Sequence, residues 1–171
     1  MDKTTFAFES FKNIQDLIKF ADQKSSAVLV VTGLTFTGYI QFLSGLTFSL
    51  TENLNFFGIT TFLASLSTVI SLIMVVYISI FKVLKPRTAT HYPTDEFSLF
   101  YYKHIFKAGK EKVTEQYLTI NSDIILKNIL DQQHEVSHIL NEKTKELGSS
   151  FTWLFVSIIS VFIFILTATQ L

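Results

Sequence analysis

Charged residues vanish from three stretches of the chain, residues 25–50, 53–81 and 147–171, and the runs inside them lack the period-two alternation of a barrel strand. At about 1.5 Å per helical residue, each stretch is long enough to cross a hydrocarbon core of roughly 30 Å. Lipid offers no partner to backbone N–H and C=O groups, so each span must satisfy its own as a helix. The pattern predicts an all-α integral membrane protein. Its parts are an N-terminal amphipathic helix over residues 1–24, transmembrane helices over 25–50, 56–82 and 148–171, an external hairpin at 51–55, and a cytoplasmic helical segment over 83–147 between spans 2 and 3.

The polar stretches carry a helical period of their own. Before the first span, Phe8, Phe11, Ile14, Leu17, Ile18 and Ala21 recur every three or four residues. Such a helix lies on the headgroups or packs on the polar segment. After the second span the helix should stop near Leu84, because Pro86 disfavours a helical Lys85, and His91-Tyr92-Pro93 prolongs the irregular stretch. Thr94, followed by Asp95 and Glu96, is the expected N-cap of a short helix through Phe97, Phe100, Tyr101 and His104 to Phe106, which Gly109 ends. No Gly or Pro interrupts residues 110–146, where Tyr117, Ile120, Ile124, Ile125, Ile129, Val136 and Leu140 trace an apolar stripe. One long helix is therefore expected to run toward the third span, with Gly148 as the place for a bend.

Lysines fix the orientation, since acidic residues contribute little to it. Lys12, Lys19 and Lys24 precede the first span, Lys82, Lys85 and Arg87 follow the second, and Lys143 and Lys145 precede the third, while the hairpin holds only Glu52. The N-terminus and the long polar segment are thus expected in the cytoplasm and the C-terminus outside, as in a multi-pass membrane protein. The leader ends without a small-residue cleavage site, so a retained span is expected rather than a signal peptide. Net charge is zero and Arg87 is the single arginine, which argues against a nucleic-acid polymer as partner. The absence of cysteine excludes disulfides and thiolate chemistry.

The spans contain no carboxylate, histidine or arginine, the groups that ion pathways and proton relays use, so a pump or transporter is not indicated. They do contain small residues at helical spacing: Gly38 and Gly45, then Ala64, Thr68 and Ser71, then Ser157 and Ser160. These permit close packing within one chain. Because three helices have little interior for so many Ser, Thr and Gly together with Gln41, they also point to a homo-oligomer. One soluble motif competes for attention. His134-Glu135-Val136-Ser137-His138 fits the H-E-x-x-H pattern, in which two imidazoles on one helical face bind zinc and the Glu acts as general base. No third ligand of the usual kind follows, so a chance match on a helical face is the plainer account, with a membrane metalloprotease as the alternative. A third possibility is a non-enzymatic anchor whose long helix recruits a partner.

Three segments resemble a known family. Leu17-Ile18-Lys19-Phe20-Ala21-Asp22-Gln23-Lys24-Ser25, at the mouth of the first span, is similar to the Ala-Asp-x-Lys motif of the Pycsar effector transmembrane family. Leu99-Phe100-Tyr101-Tyr102-Lys103-His104-Ile105, after Lys85-Pro86-Arg87, resembles its aromatic segment ending in His, with Lys103 where a small residue is expected. Ser137-His138-Ile139-Leu140-Asn141-Glu142-Lys143 resembles its Ile-Leu-x-x-Lys lead into the last span. The resemblance implies a non-enzymatic antiphage effector without a cofactor. A partner nucleotide cyclase makes a cyclic pyrimidine mononucleotide (cUMP or cCMP), and the effector binds it and impairs the lipid bilayer. A receptor for that ligand needs cations for one phosphodiester, an amide or carboxylate for the base edge, and an aromatic face. Lys24, Arg87, Lys103 and Lys127, then Asp22, Gln23, Asn128, Asp131 and Gln132, then Tyr101 and Tyr102 are the candidates, joined by His104 and Lys143 from the matching motifs. Asp22, Gln23 and Lys24 are equally candidates for a gating pair.

Overall fold

The computed structural model describes residues 2–46, 56–87 and 97–170, and these are helical throughout apart from short connections. The elements in chain order are α1 (Lys3–Ser44), α2 (Phe56–Tyr77) widening into a π-helix (Ile78–Leu84), α3 (Tyr102–Thr119) and α4 (Ser122–Ala168). Among the described residues, three helices are long and apolar enough to cross a membrane: Lys3–Ser44, Phe56–Leu84 and Ser122–Ala168. The expected all-α membrane architecture is therefore present. The hairpin 51–55, the His91-Tyr92-Pro93 stretch and the Thr94 cap lie outside the described residues.

Contacts divide the chain into two units. The first comprises Met1–Phe20 and Pro86–Glu142, the second Ala21–Lys85 and Lys143–Leu171. Within the second, buried residues stack in layers from three helices. Ala21, Ile78, Val83 and Leu147 form one layer, Val28, Val75 and Leu154 the next, and Tyr39, Ala64 and Phe164 the last. Apolar burial is a weak reason for helices to associate when the surroundings are also apolar, so close fit and hydroxyl pairs matter more. Tyr39 reaches Ser65 at 2.6 Å, Thr61 donates to Thr167 at 2.8 Å, and Ser67 meets Ser160 at 2.9 Å. Ser79, on the π-helix, pairs with Ser150 at 2.8 Å, both wholly buried. Of the small residues expected to pack, Ala64, Thr68, Ser71, Ser157 and Ser160 are buried, whereas Gly38 is exposed.

In the first unit, Ala7 and Phe11 of α1 pack on Ile129 of α4, with Phe100, Ile125, Leu126 and Val136 around them. The Phe11 and Phe100 rings meet edge to face at 6.5 Å, and Gln133 Nε2 donates to Ser10 Oγ at 3.0 Å. The N-terminal segment thus packs on α4 and belongs to the same helix as the first span.

Helix ends follow local chemistry. The π-helix stops where Lys85 adopts φ −56°, ψ 127°, the extended conformation that a following proline favours. Two expectations for the polar segment need correction. The helix leading to Phe106 begins at Tyr102 and does not run through Phe97 and Phe100, because Ser98 and its neighbours make local bonds that compete with a helix. Ser98 N–H donates to His104 Nδ1 at 3.2 Å, and Phe100 N–H donates to Ser98 Oγ at 3.2 Å. The single helix expected from Lys110 is instead divided at Ile120, whose backbone is extended. Asn121 restarts it as an N-cap, its Oδ1 accepting the Ile124 N–H at 2.9 Å. Tyr117 and Ile124, on either side of that break, are exposed rather than part of an apolar stripe. The break expected at Gly109 is present, at φ 76°, ψ 164°.

Candidate functional site

Asp22 and Lys143 stand 121 positions apart in sequence, yet Lys143 Nζ donates to Asp22 Oδ1 at 2.5 Å. The Lys143 side chain is 5% exposed and that of Asp22 36%. An ammonium this deeply buried needs a counter-charge, because desolvating an uncompensated ion costs several kcal/mol. The pair joins α1 to α4 immediately beside the layer containing Ala21 and Leu147. One turn further along α1, the Ser25 hydroxyl is fully buried and has no hydrogen-bond partner among the described residues. The neighbouring candidates Gln23 and Lys24 are exposed. The Lys19–Asp16 pair on α1, at 2.9 Å, is a different case. Lys19 holds the Asp16 carboxyl below its ordinary value, mainly through their hydrogen bond, but both groups stand in water and contribute little to stability.

In the first unit, α4 carries a row of buried polar side chains. Asn128, Gln132 and Glu135 are between 4% and 8% exposed, and their spacing of four and three places them on one helical face. Asn128 Nδ2 donates to the Ile124 carbonyl at 2.9 Å. Seven residues beyond Glu135, in the same register, Glu142 pairs with Arg87 at 3.6 Å. Two amides and two carboxylates thus share one face of α4, with the Arg87 guanidinium paired to the last of them.

A second group lies at the start of α3. Tyr101 meets His104 edge to face at 4.9 Å, Phe97 stacks on His104 at 6.3 Å, and Tyr102 adjoins Tyr101 at 5.5 Å. Lys112 sits 5.7 Å from the Phe97 ring centre, within cation–π range.

The sequence-predicted candidates therefore separate. Asp22 and Lys143 come together, Asn128 and Gln132 share a face, and Tyr101, Tyr102 and His104 cluster. Lys127 is exposed beside the polar row, Asp131 is half-buried, and Lys103 is half-buried within the aromatic helix. Sequence reasoning missed Glu135 as a member of the row, having read it as half of a zinc motif; its four- and three-residue spacing from Gln132 and Asn128 was the available signal. His134 and His138 are exposed while Glu135 is buried, and no group of three metal-ligating side chains occurs among the described residues. It also missed Ser98 as the backbone partner of His104.

Three apolar helices long enough to span a bilayer, joined to a polar helical unit, define an all-α membrane protein. Comparison with known proteins narrows that class. The model described as "Pycsar effector protein domain" matches residues 6–170, and the chain belongs to this family of transmembrane effectors of antiviral defence. The Pycsar effector protein TpPycTM of Treponema porcinum is 34% identical over 82 residues, which are 48% of this chain and 70% of that protein. No solved structure matches the chain.

Proposed function

We propose that the chain binds a cyclic pyrimidine mononucleotide, cUMP or cCMP, in its cytoplasmic unit and responds by impairing the bacterial inner membrane. A partner cyclase supplies the ligand, and the chain itself performs no catalysis. The observation that carries this reading is the buried row Asn128, Gln132 and Glu135, continued by Glu142 with Arg87 paired to it. A pyrimidine presents a mixed donor–acceptor edge that side-chain amides and a carboxylate match, and a guanidinium is suited to a phosphodiester. Tyr101 and Tyr102 supply aromatic faces within the same unit.

The response requires the ligand to favour one arrangement of helices over another. Residues 128–142 and the third span belong to the single helix α4, and the Asp22–Lys143 pair ties that helix to α1. This supports α4 as the element that carries the signal, with Asp22 and Lys143 as the gating pair. Calorimetry of the full detergent-solubilised chain against a panel of cyclic mononucleotides tests the binding step. Arg87→Ala should weaken binding by roughly 10-fold or more, from about 1.5–3 kcal/mol for a hydrogen bond to a charged group, and Asn128→Ala and Gln132→Ala by about 2- to 10-fold each, from about 0.5–1.5 kcal/mol for neutral ones. Lys127→Ala should leave it unchanged. Failure of every cyclic mononucleotide to bind, or binding indifferent to all three variants, would overturn the proposal.

A further inference from the structure

On the side of α1 opposite its packed face, Val30, Leu34, Thr37 and Gln41 repeat with spacings of four, three and four. That is the seam of a heptad, the pattern by which one helix receives another. Val30 is 64% and Leu34 69% exposed, and Thr37, Gly38 and Gln41 are exposed beside them. A Cβ at Gly38 would meet nothing within 4 Å, so a neighbouring backbone has room to approach.

Gln41 decides what occupies the seam. It lies sixteen residues past Ser25, about 24 Å along the helix and still inside a hydrocarbon core of roughly 30 Å. Thr37 is satisfied within α1, its hydroxyl donating to the Gly33 carbonyl at 2.9 Å. The Gln41 backbone carbonyl accepts from Ser44 Oγ at 2.9 Å, but its side-chain amide has no hydrogen-bond partner among the described residues. Acyl chains cannot bond an amide. A partner carrying a donor and an acceptor at the same depth would satisfy it. Copies of one chain insert with one orientation, so a second copy brings its own Gln41 to that depth, and a primary amide is both donor and acceptor.

We propose that α1 self-associates through the Val30–Leu34–Thr37–Gln41 seam, with the Gln41 amides of two copies bonded to each other. This names the surface for the assembly expected of the effector, and the test separates the surface from assembly itself. The native chain has no cysteine, so single cysteines report proximity without background. The full chain is reconstituted in phosphatidylethanolamine–phosphatidylglycerol vesicles carrying Thr37→Cys, or Phe162→Cys as control. Phe162 is exposed on α4 at similar depth, since Tyr39 and Phe164 touch at 5.2 Å. Oxidation should cross-link Thr37→Cys and not Phe162→Cys. Adding Gln41→Leu to the Thr37→Cys chain should weaken dimerisation roughly 3- to 30-fold, the range measured for intramembrane hydrogen bonds. Subunit counting by single-molecule photobleaching is run in parallel. An oligomer that does not cross-link at Thr37, or whose association ignores Gln41→Leu, overturns this surface while leaving assembly intact. A monomer overturns both.

Discussion

Lys143 and Asp22 are unequal partners, and the inequality is measurable. Removing Asp22 strands a buried ammonium, whereas removing Lys143 leaves a carboxylate that water still reaches. Asp22→Ala should therefore cost about 3 kcal/mol or more, and Lys143→Met about 1 kcal/mol, in thermal unfolding of the detergent-solubilised chain. Equal losses would show that the pair is not buried as described. The buried hydroxyls make a similar contrast. Ser25→Ala removes a hydroxyl without a partner and should be neutral or stabilising by about 1 kcal/mol, while Ser150→Ala strands Ser79 and should destabilise by about 1–2 kcal/mol. At this scale the sequence reveals residue types but not meetings. That an acid at the mouth of a span would hold a neighbouring helix could be argued from Asp22 alone. That Lys143 is its partner could not, because two continuous helices bring them together across 121 positions.

Among the elements, the glycines separate two uses of the same residue. Gly109 occupies φ 76°, ψ 164°, a region essentially closed to any residue with a Cβ, so Gly109→Ala should cost about 1–3 kcal/mol. Gly148 lies within the continuous helix α4, and a Cβ there meets nothing within 4 Å. Gly148→Ala should stabilise by about 0.5–1 kcal/mol in the same assay. Gly148→Pro should break the i→i−4 ladder at a cost of about 3 kcal/mol, and with α4 as the transmitting element it should keep nucleotide binding but abolish the membrane response. A response that survives the proline would remove α4 from that role. The spans were legible because charge cannot be hidden in lipid, and the stop at Leu84 because proline constrains the residue before it. The division at Ile120 was not, since a search for Gly and Pro overlooks an Asn that caps a new helix. The start at Tyr102 depends on a His side chain accepting from a backbone six residues earlier, which periodicity does not reveal.

For the whole molecule, membership of the Pycsar effector family, three apolar helices and a polar unit with buried amides support a ligand-gated membrane effector. An anchor would have the same spans and the same topology. What separates the two is whether a small molecule changes the state of the bilayer. The direct measurement is dye release from vesicles holding the full chain, with cUMP, cCMP and the cyclic purine mononucleotides added in turn at the outward-facing polar unit. A ligand-gated effector releases dye with one cyclic pyrimidine mononucleotide, loses that release in Arg87→Ala, and leaves vesicles intact without ligand. Vesicles that stay sealed with every nucleotide, or that leak equally without one, would contradict it.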